Sequence, residues 1–269
     1  MSEQLEPVSA AQIGAAEAYE ALFVPALFGD WAPRTIAAAH LERGERVLDL
    51  ACGTGVVARE ALLRVGDEGF VAGIDANAGM IDVARRLSPG VEYSVGDAGA
   101  LTFANGAFGA VLCQFGLMFF GDRQAALREA ARVLKPRGRF VFVVWDAIEG
   151  APVFAALAAS VDRFIGEHAA AALHAPFVLG DRERLRELFA SAEVSPACIE
   201  TVRGNASFPS VRVLVEAEMR GWLPVMGVSP TDPQVEQVLE AMETEVRDWV
   251  RPDGTLGFEM SAHIVSGEA

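Results

Sequence analysis

Between residues 46 and 145 short apolar runs alternate with helical patterns, and the links between them are brief. The runs 46–51, 69–75, 91–95, 109–114 and 138–145 read as strands, and 55–65, 77–87 and 122–134 read as helices. In the last helix Ala126, Leu127, Ala130, Val133 and Leu134 recur at helical spacing, and Lys135-Pro136-Arg137-Gly138 ends the pattern. Phe140 to Trp145 is almost continuously apolar, as in a strand covered on both faces. Strand–helix alternation with connections this short predicts an α/β fold, a doubly wound parallel sheet.

Outside this core the pattern changes. Residues 8–41 read as two helices broken around Pro25 and Pro33, 151–175 as an Ala-rich helical stretch, and 196–203 as a strand. A helix opened by Asp181 runs to about 191, a helical pair follows at 210–222 and 233–250, and a last strand spans 255–265. These patterns predict three parts: an N-terminal helical cap segment (1–44), a ligand-binding core (45–146), and a C-terminal part (147–269). The last would complete the sheet and carry a helical lid at about 150–175 and 209–251. Val235, Val238, Leu239, Met242, Val246 and Trp249 form one stripe, of the kind that usually packs a core.

Composition excludes several classes. No apolar run is long enough to span a membrane, because Arg, Asp or Glu recur throughout. The opening MSEQLEPVSAAQ lacks the basic start and apolar stretch of a secretory leader. Cys52, Cys113 and Cys198 are far apart with no C-x-x-C, which suggests free thiols in a reducing cytoplasm. No metal-ligating set stands out. The net charge of −15, with Lys135 the one lysine, leaves no clustered basic surface for nucleic acid.

Val47-Leu48-Asp49-Leu50-Ala51-Cys52-Gly53-Thr54-Gly55 is a strand running into a glycine turn ahead of a helix. Gly53-x-Gly55-x-x-Ala58, with Asp75 further on, satisfies the dinucleotide fingerprint. Asp49 argues for a different nucleotide. A diphosphate beside this carboxylate would cost roughly 4 kcal/mol at about 4 Å and an effective dielectric of about 20, unless Asp49 points away. S-adenosylmethionine has no phosphate and carries an ammonium and a sulfonium, which a carboxylate favours. Gly53 and Gly55 let a backbone approach the ligand closely. Asp75 can accept both ribose hydroxyls of either nucleotide. Asp97 can accept from an adenine amino group, and the Ala98 amide can donate to the ring.

The segments VLDLACGTG (47–55), GIDANAGM (73–80), GDAGAL (96–101) and LREAARVLKPRGRFVF (127–142) resemble, in order and spacing, the class I S-adenosylmethionine-dependent methyltransferases. The likeness is nearest to the small-molecule branch that includes the ubiquinone and menaquinone C-methyltransferases. It implies a Rossmann-like, mostly parallel seven-stranded sheet with the last strand antiparallel, plus a helical cap. It places Asp49 and Gly53 by the methionine moiety, Asp75 on the ribose, and Ala76 and Met80 against the adenine. Asp97 and Ala98 would read the adenine edge, and the backbone near Gln114 would hold the amino acid end. Tyr19 matches an N-terminal tyrosine that closes over the donor.

Methyl transfer is an in-line displacement in which holding the acceptor supplies up to about 7–11 kcal/mol of the barrier. A general base is needed only if the acceptor must lose a proton. His168 and His174 are the weak candidates; His40 and His263 read as structural. The fourth strand lacks the Asn/Asp-Pro-Pro-aromatic motif of DNA-base amine methyltransferases, and no Pro-Cys dipeptide is present. Met118, Phe119, Phe120, Trp145, Trp222, Leu223 and Met226 suit a small, partly hydrophobic acceptor, from secondary or quinone-like metabolism, as well as they suit a core. The expected partner is that small molecule, with neither nucleic acid nor membrane; monomer and homodimer stay open. Three alternatives remain: another reaction class on the same cofactor (a rearrangement or decarboxylation), an NAD-dependent dehydrogenase, and a non-catalytic binding module.

Overall fold

The computed structural model describes residues 8–269, so the reading of the first residues as free of a leader lies partly outside the described residues. The strands are β1 (Arg46–Leu50), β2 (Phe70–Asp75), β3 (Glu92–Val95), β4 (Phe108–Gln114), β5 (Leu134–Trp145), β6 (Cys198–Phe208) and β7 (Leu256–Glu268). They form one sheet in the order β3-β2-β1-β4-β5-β7-β6. β1 pairs in parallel with β2 and β4, β2 with β3, and β4 with β5. β7 runs the other way: Arg137 and Gly138 bond to Ala269, whereas Asp146, further along the chain, bonds back to Ser261. The predicted mixed sheet with an antiparallel last strand is therefore present.

Among the described residues the contacts divide into two compact units. The first comprises the chain up to Val143, with Glu187–Cys198 and Val265–Ala269; the second comprises Val144–Arg186 and Ile199–Ile264.

In the first unit, Val47, Leu48, Leu50, Val71, Ala72, Val111, Leu112 and Val141 are buried, as expected of strands covered on both faces. Around them lie α1 (Ala10–Ala18), α2 (Ala32–Ala39), α3 (Val56–Val65), α4 (Ala78–Leu87) and α5 (Arg123–Val133). Ser9 and Gln12 form a capping box that starts α1. α1 packs on α4 so closely that a Cβ at Gly79 would lie 2.6 Å from the Gln12 carbonyl oxygen. Pro25 does not break the chain as predicted. It lies inside a π-helical segment, Tyr19–Phe28, and Pro33 sits in the first turn of α2, where a missing N–H costs nothing. β5 begins at Leu134 rather than at the predicted 138, because a bulge between Phe108 and Ala110 absorbs the Lys135-Pro136-Arg137-Gly138 stop.

In the second unit, α6 (Pro152–Phe164) and α7 (Glu167–His174) replace the single helix predicted over 151–175; they part at Gly166, whose φ of 120° few other residues adopt. The helix expected from Asp181 is α8 (Arg182–Ser191); α9 (Val211–Glu216), a π turn (Ala217–Trp222) and α10 (Leu223–Val225) occupy the first predicted helix of the pair. α11 (Asp232–Glu245) is the second; it packs on α6 and α9 through Val235, Val238, Leu239 and Met242, as the stripe predicted. His263 is 1% exposed. Its Nε2 lies 2.8 Å from the Gly180 carbonyl and 3.2 Å from Asp146, and its Nδ1 lies 3.0 Å from the Thr201 hydroxyl. Held between these groups, the buried imidazole acts as a structural bridge.

Glu45 ties the start of β1 to β5. It is buried, receives Arg139 Nη2 at 2.6 Å on Oε1, and accepts the Glu42 amide at 3.0 Å. Arg139 also donates to the Ala39 carbonyl at 2.9 Å. Glu45→Ala leaves a largely desolvated guanidinium without its partner and is expected to cost about 2–4 kcal/mol, since Arg139 keeps some water. Urea unfolding checks this: the midpoint should fall with the slope unchanged.

Candidate functional site

The turn after β1 is unusual in its backbone. Ala51, Gly53 and Gly55 all adopt the left-handed region, with φ of 52°, 54° and 87°. The Cys52 amide donates to the Ile74 carbonyl at 2.9 Å, and the Gly55 amide to the Cys52 carbonyl at 2.8 Å, so the turn closes on the neighbouring strand β2. α3 then begins at Val56.

Asp75, the last residue of β2, holds this turn. Its Oδ2 accepts the Gly53 amide at 2.8 Å and its Oδ1 accepts the Asn77 amide at 2.8 Å. Burial raises its pKa, and the Asn77 and Gly53 amides pull the other way. The expectation that both oxygens serve ribose hydroxyls needs one adjustment. Each oxygen already has a partner, and one further lone pair on each remains for a ligand.

Asp49 is 1% exposed, and its Oδ2 has no hydrogen-bond partner among the described residues. Burial pushes its pKa up to about 8; the Ala58 amide of α3 opposes the shift, the neighbouring Asp75 adds to it, and Arg59 opposes it weakly. Such an orphaned carboxyl oxygen is rare and costly.

The two glycines prove to have different reasons. A Cβ at Gly53 would lie 3.8 Å from the Tyr19 ring and hydroxyl, in ordinary contact, so that face of the turn is lined by Tyr19. A Cβ at Gly55 would fall on the Tyr93 hydroxyl. Tyr93 rises from β3, crosses Gly73 (where a Cβ would lie 2.6 Å from its ring) and ends beneath Gly55. The space that a side chain at Gly55 would take is thus filled by the protein's own tyrosine. Nothing in the local pattern marked Tyr93, because its contact with the turn is across two strands.

The N-terminal segment meets the same turn. The Tyr19 hydroxyl's pKa is raised by burial first, then by the fields of Asp75, Glu20 and Asp49. Tyr19 stacks on Phe28 at 5.4 Å, Phe28 lies 5.6 Å from Phe115, and Phe115 meets Trp31 edge-on at 5.7 Å. Glu20 accepts the Thr54 hydroxyl on Oε2 and Arg59 Nη2 at 2.8 Å on Oε1, while Arg59 Nη1 donates to the Thr54 carbonyl at 2.7 Å. Glu20, Thr54 and Arg59 were not foreseen as site residues.

The other expected residues fall as follows. Ala76 is exposed and Met80 half-buried, at the head of α4, whose cap Asn77 accepts the Gly79 and Met80 amides. Asp97 is exposed and accepts the Gly99 amide at 2.8 Å; Ala98 is buried. The Gly96 amide bonds to the Asp75 carbonyl, which sets this loop beside the end of β2. The Gln114 side chain is fully engaged within the unit: it accepts from Thr35 at 2.8 Å and donates to the Phe28 carbonyl at 3.1 Å. In the second unit His168 and His174 are both exposed on α7. They do not share a face, since six residues at about 100° each turn them well apart. Met118, Trp145 and Leu223 are buried in packing, while Phe119 and Met226 are exposed.

Residues 47–138 match the family model described as a methyltransferase domain. The chain is 40% identical over 129 residues to a ubiquinone/menaquinone biosynthesis C-methyltransferase of Neisseria meningitidis, which takes in 45% of this chain and 53% of that one. It is 38% identical over 131 residues to a demethylmenaquinone methyltransferase of Thermotoga maritima, 48% of this chain and 57% of the other. The chain thus spans about half the length of the curated relatives it matches. A putative methyltransferase structure from Bacillus halodurans superposes with a TM-score of 0.60 at 20% identity, covering 88% of this chain and 97% of that one. A Streptomyces coelicolor geranyl diphosphate C-methyltransferase, solved with Mg²⁺, geranyl diphosphate and S-adenosylhomocysteine, gives 0.54 at 17% identity over 90% and 78%. Those two share the fold. The expected resemblance to class I methyltransferases of the quinone C-methylating kind therefore holds over the core.

S-adenosylmethionine is the cofactor this likeness implies, and the residues fit it: an unpaired buried carboxyl oxygen for a cation, and spare acceptor capacity on Asp75 for hydroxyls. Asp49 also generates a test that needs no ligand. Its folded pKa lies above the unfolded carboxylate value of about 3.9, so its contribution to stability is present below that and is lost as pH rises toward 8. Asp49→Asn cannot ionise. Its melting temperature relative to wild type should climb between pH 4 and 8, by up to about 1.4 kcal/mol of stability per pH unit. Parallel pH curves for the two proteins would show that Asp49 is not held in this environment.

Proposed function

We propose that the chain is an S-adenosylmethionine-dependent methyltransferase that passes a methyl group to a small, at least partly hydrophobic acceptor by in-line displacement. The observation that carries the reading is the unpaired oxygen of Asp49, buried behind the glycine turn. The names of the quinone-methylating relatives support an acceptor from bacterial quinone-like or secondary metabolism, and a cytoplasmic setting follows from that reading. Among the described residues no helix is long and apolar enough to cross a membrane.

When bound, S-adenosylmethionine supplies a methyl group already activated on a sulfonium. The chain's own part is to bind and orient. Asp49 would sit by the methionine end, Asp75 would hold the ribose, Ala76 and Met80 would flank the adenine, and Asp97 with the Ala98 amide would read its edge. Tyr19 would close over the donor, and the backbone near Gln114 would hold the amino acid end. His168 and His174 stand as weak candidates for a base, and their exposure speaks against the role.

Asp49 discriminates between nucleotides through its proton. With a pKa of about 8 it is mostly neutral at pH 7, so an anionic diphosphate would meet less repulsion than the sequence alone suggests. A cation, however, draws Asp49 into its ionised form, and binding then releases a proton.

Isothermal titration with S-adenosylhomocysteine, in buffers of different ionisation enthalpy at pH 7, measures this. Binding with release of up to about one proton is expected, the release lost in Asp49→Asn and the binding lost in Asp75→Ala. Binding of NAD instead, or S-adenosylhomocysteine binding indifferent to Asp75, would refute the donor assignment.

A further inference from the structure

The polar contacts between the N-terminal segment and the glycine turn converge on one side chain. Glu20 bonds through both oxygens, to the Thr54 hydroxyl inside the turn and to Arg59 one turn into α3. Arg59 closes the loop by donating to the Thr54 carbonyl at 2.7 Å. The pair is about a quarter exposed on each side, with relative accessibilities of 26% for Arg59 and 23% for Glu20, so solvent screens it only in part. Glu20 directly follows Tyr19, whose ring lies 3.8 Å from where a Gly53 Cβ would be.

The segment that carries both residues has an uncommon geometry. π-helical geometry is ordinarily a single-turn bulge, yet here it runs over ten residues, Tyr19–Phe28, and includes Pro25, which has no amide to donate. Two side chains anchor its ends by hydrogen bonds, beside the Phe28–Phe115 ring contact. Gln114 holds its C-terminal end through the Phe28 carbonyl, and Glu20 holds its N-terminal end to the turn.

Electrostatics gives the second anchor a further part. Glu20, Asp49 and Asp75 all act on the Tyr19 phenol, and Arg59 acts on Asp49. Glu20 engages Arg59 directly, and Asp49 Oδ2 has no hydrogen-bond partner among the described residues.

The geometry points to Glu20 as a positioning residue for the donor: through Thr54 and Arg59 it couples the Tyr19–Phe28 segment to the glycine turn. This role rests on the proposed donor site. Occupation of that site and ordering of the N-terminal segment are then one linked event, with Glu20 as the link.

Amide hydrogen exchange of the Tyr19–Phe28 segment, with and without S-adenosylhomocysteine, tests it alongside titration of the same ligand. In the wild type the ligand should slow exchange across the segment. Glu20→Gln should remove that slowing and weaken binding about tenfold. Thr54→Val, which deletes one hydroxyl from the network, should act in the same direction. The double variant should be no weaker than the worse single one, because both changes open the same link. Wild-type affinity in Glu20→Gln with the segment still protected overturns the role, and so do strictly multiplying effects in the double variant. If circular dichroism shows Glu20→Gln unfolded, Thr54→Val alone decides by the same two readouts. A wild type that binds no S-adenosylhomocysteine refutes the donor site itself, and the role with it.

Discussion

The hydrogen bond from the Gly53 amide to Asp75 Oδ2, at 2.8 Å, is the constraint from which the site follows. A turn with three left-handed residues in five has no helical or strand ladder of its own to hold it. One carboxylate at the end of the next strand supplies the anchor, and the same group, through the Asn77 amide, fixes the start of α4. Two loops from successive strands are thereby set at one edge of the sheet, the carboxyl ends, where open parallel sheets bind ligands.

Three acids, Asp49, Asp75 and Glu20, act on the Tyr19 phenol, and Glu20 engages the Arg59 guanidinium. Asp49 remains with an oxygen that nothing in the described chain satisfies, and burial pushes its pKa to about 8. Folding around an unsatisfied buried acid is destabilising, and it persists where the surrounding structure over-determines it, as the tightly bonded turn, α3 and β2 do here. At the proposed donor site a cationic ligand would recover that cost on binding. Stability of the empty protein and affinity for the ligand are therefore opposed at a single residue.

Both glycines of the turn were legible as positions that need freedom, and both have positive φ. Their separate reasons were not legible. Gly53 faces Tyr19, and Gly55 faces Tyr93, a residue 38 positions away in number, as the sequence runs from Gly55 to Tyr93. The acids Asp49 and Asp75 announced themselves by their places at strand ends. Glu20 and Arg59 looked like ordinary charged residues on helical faces, and only their meeting distinguishes them. His168 and His174 looked close in number, yet the helix that carries them turns them to different sides.

By itself the sequence determined the alternation of strands and helices, the glycine turn after the first strand and the acidic residues at the strand ends. Each of these is written in local periodicity or in backbone freedom, which neighbours a few residues apart enforce. The tertiary structure decided which groups share the turn: Tyr93 beneath Gly55, Glu20 across Thr54 and Arg59, Gln114 between Thr35 and Phe28, and His263 between Gly180 and Thr201. It also decided that Tyr19–Phe28 would run as a π-helix through Pro25 and that the helix predicted over 151–175 would part at Gly166. The physical reason is the same in each case. Hydrogen bonds and close packing between residues distant in the chain depend on where folding brings them, and no local pattern encodes that meeting.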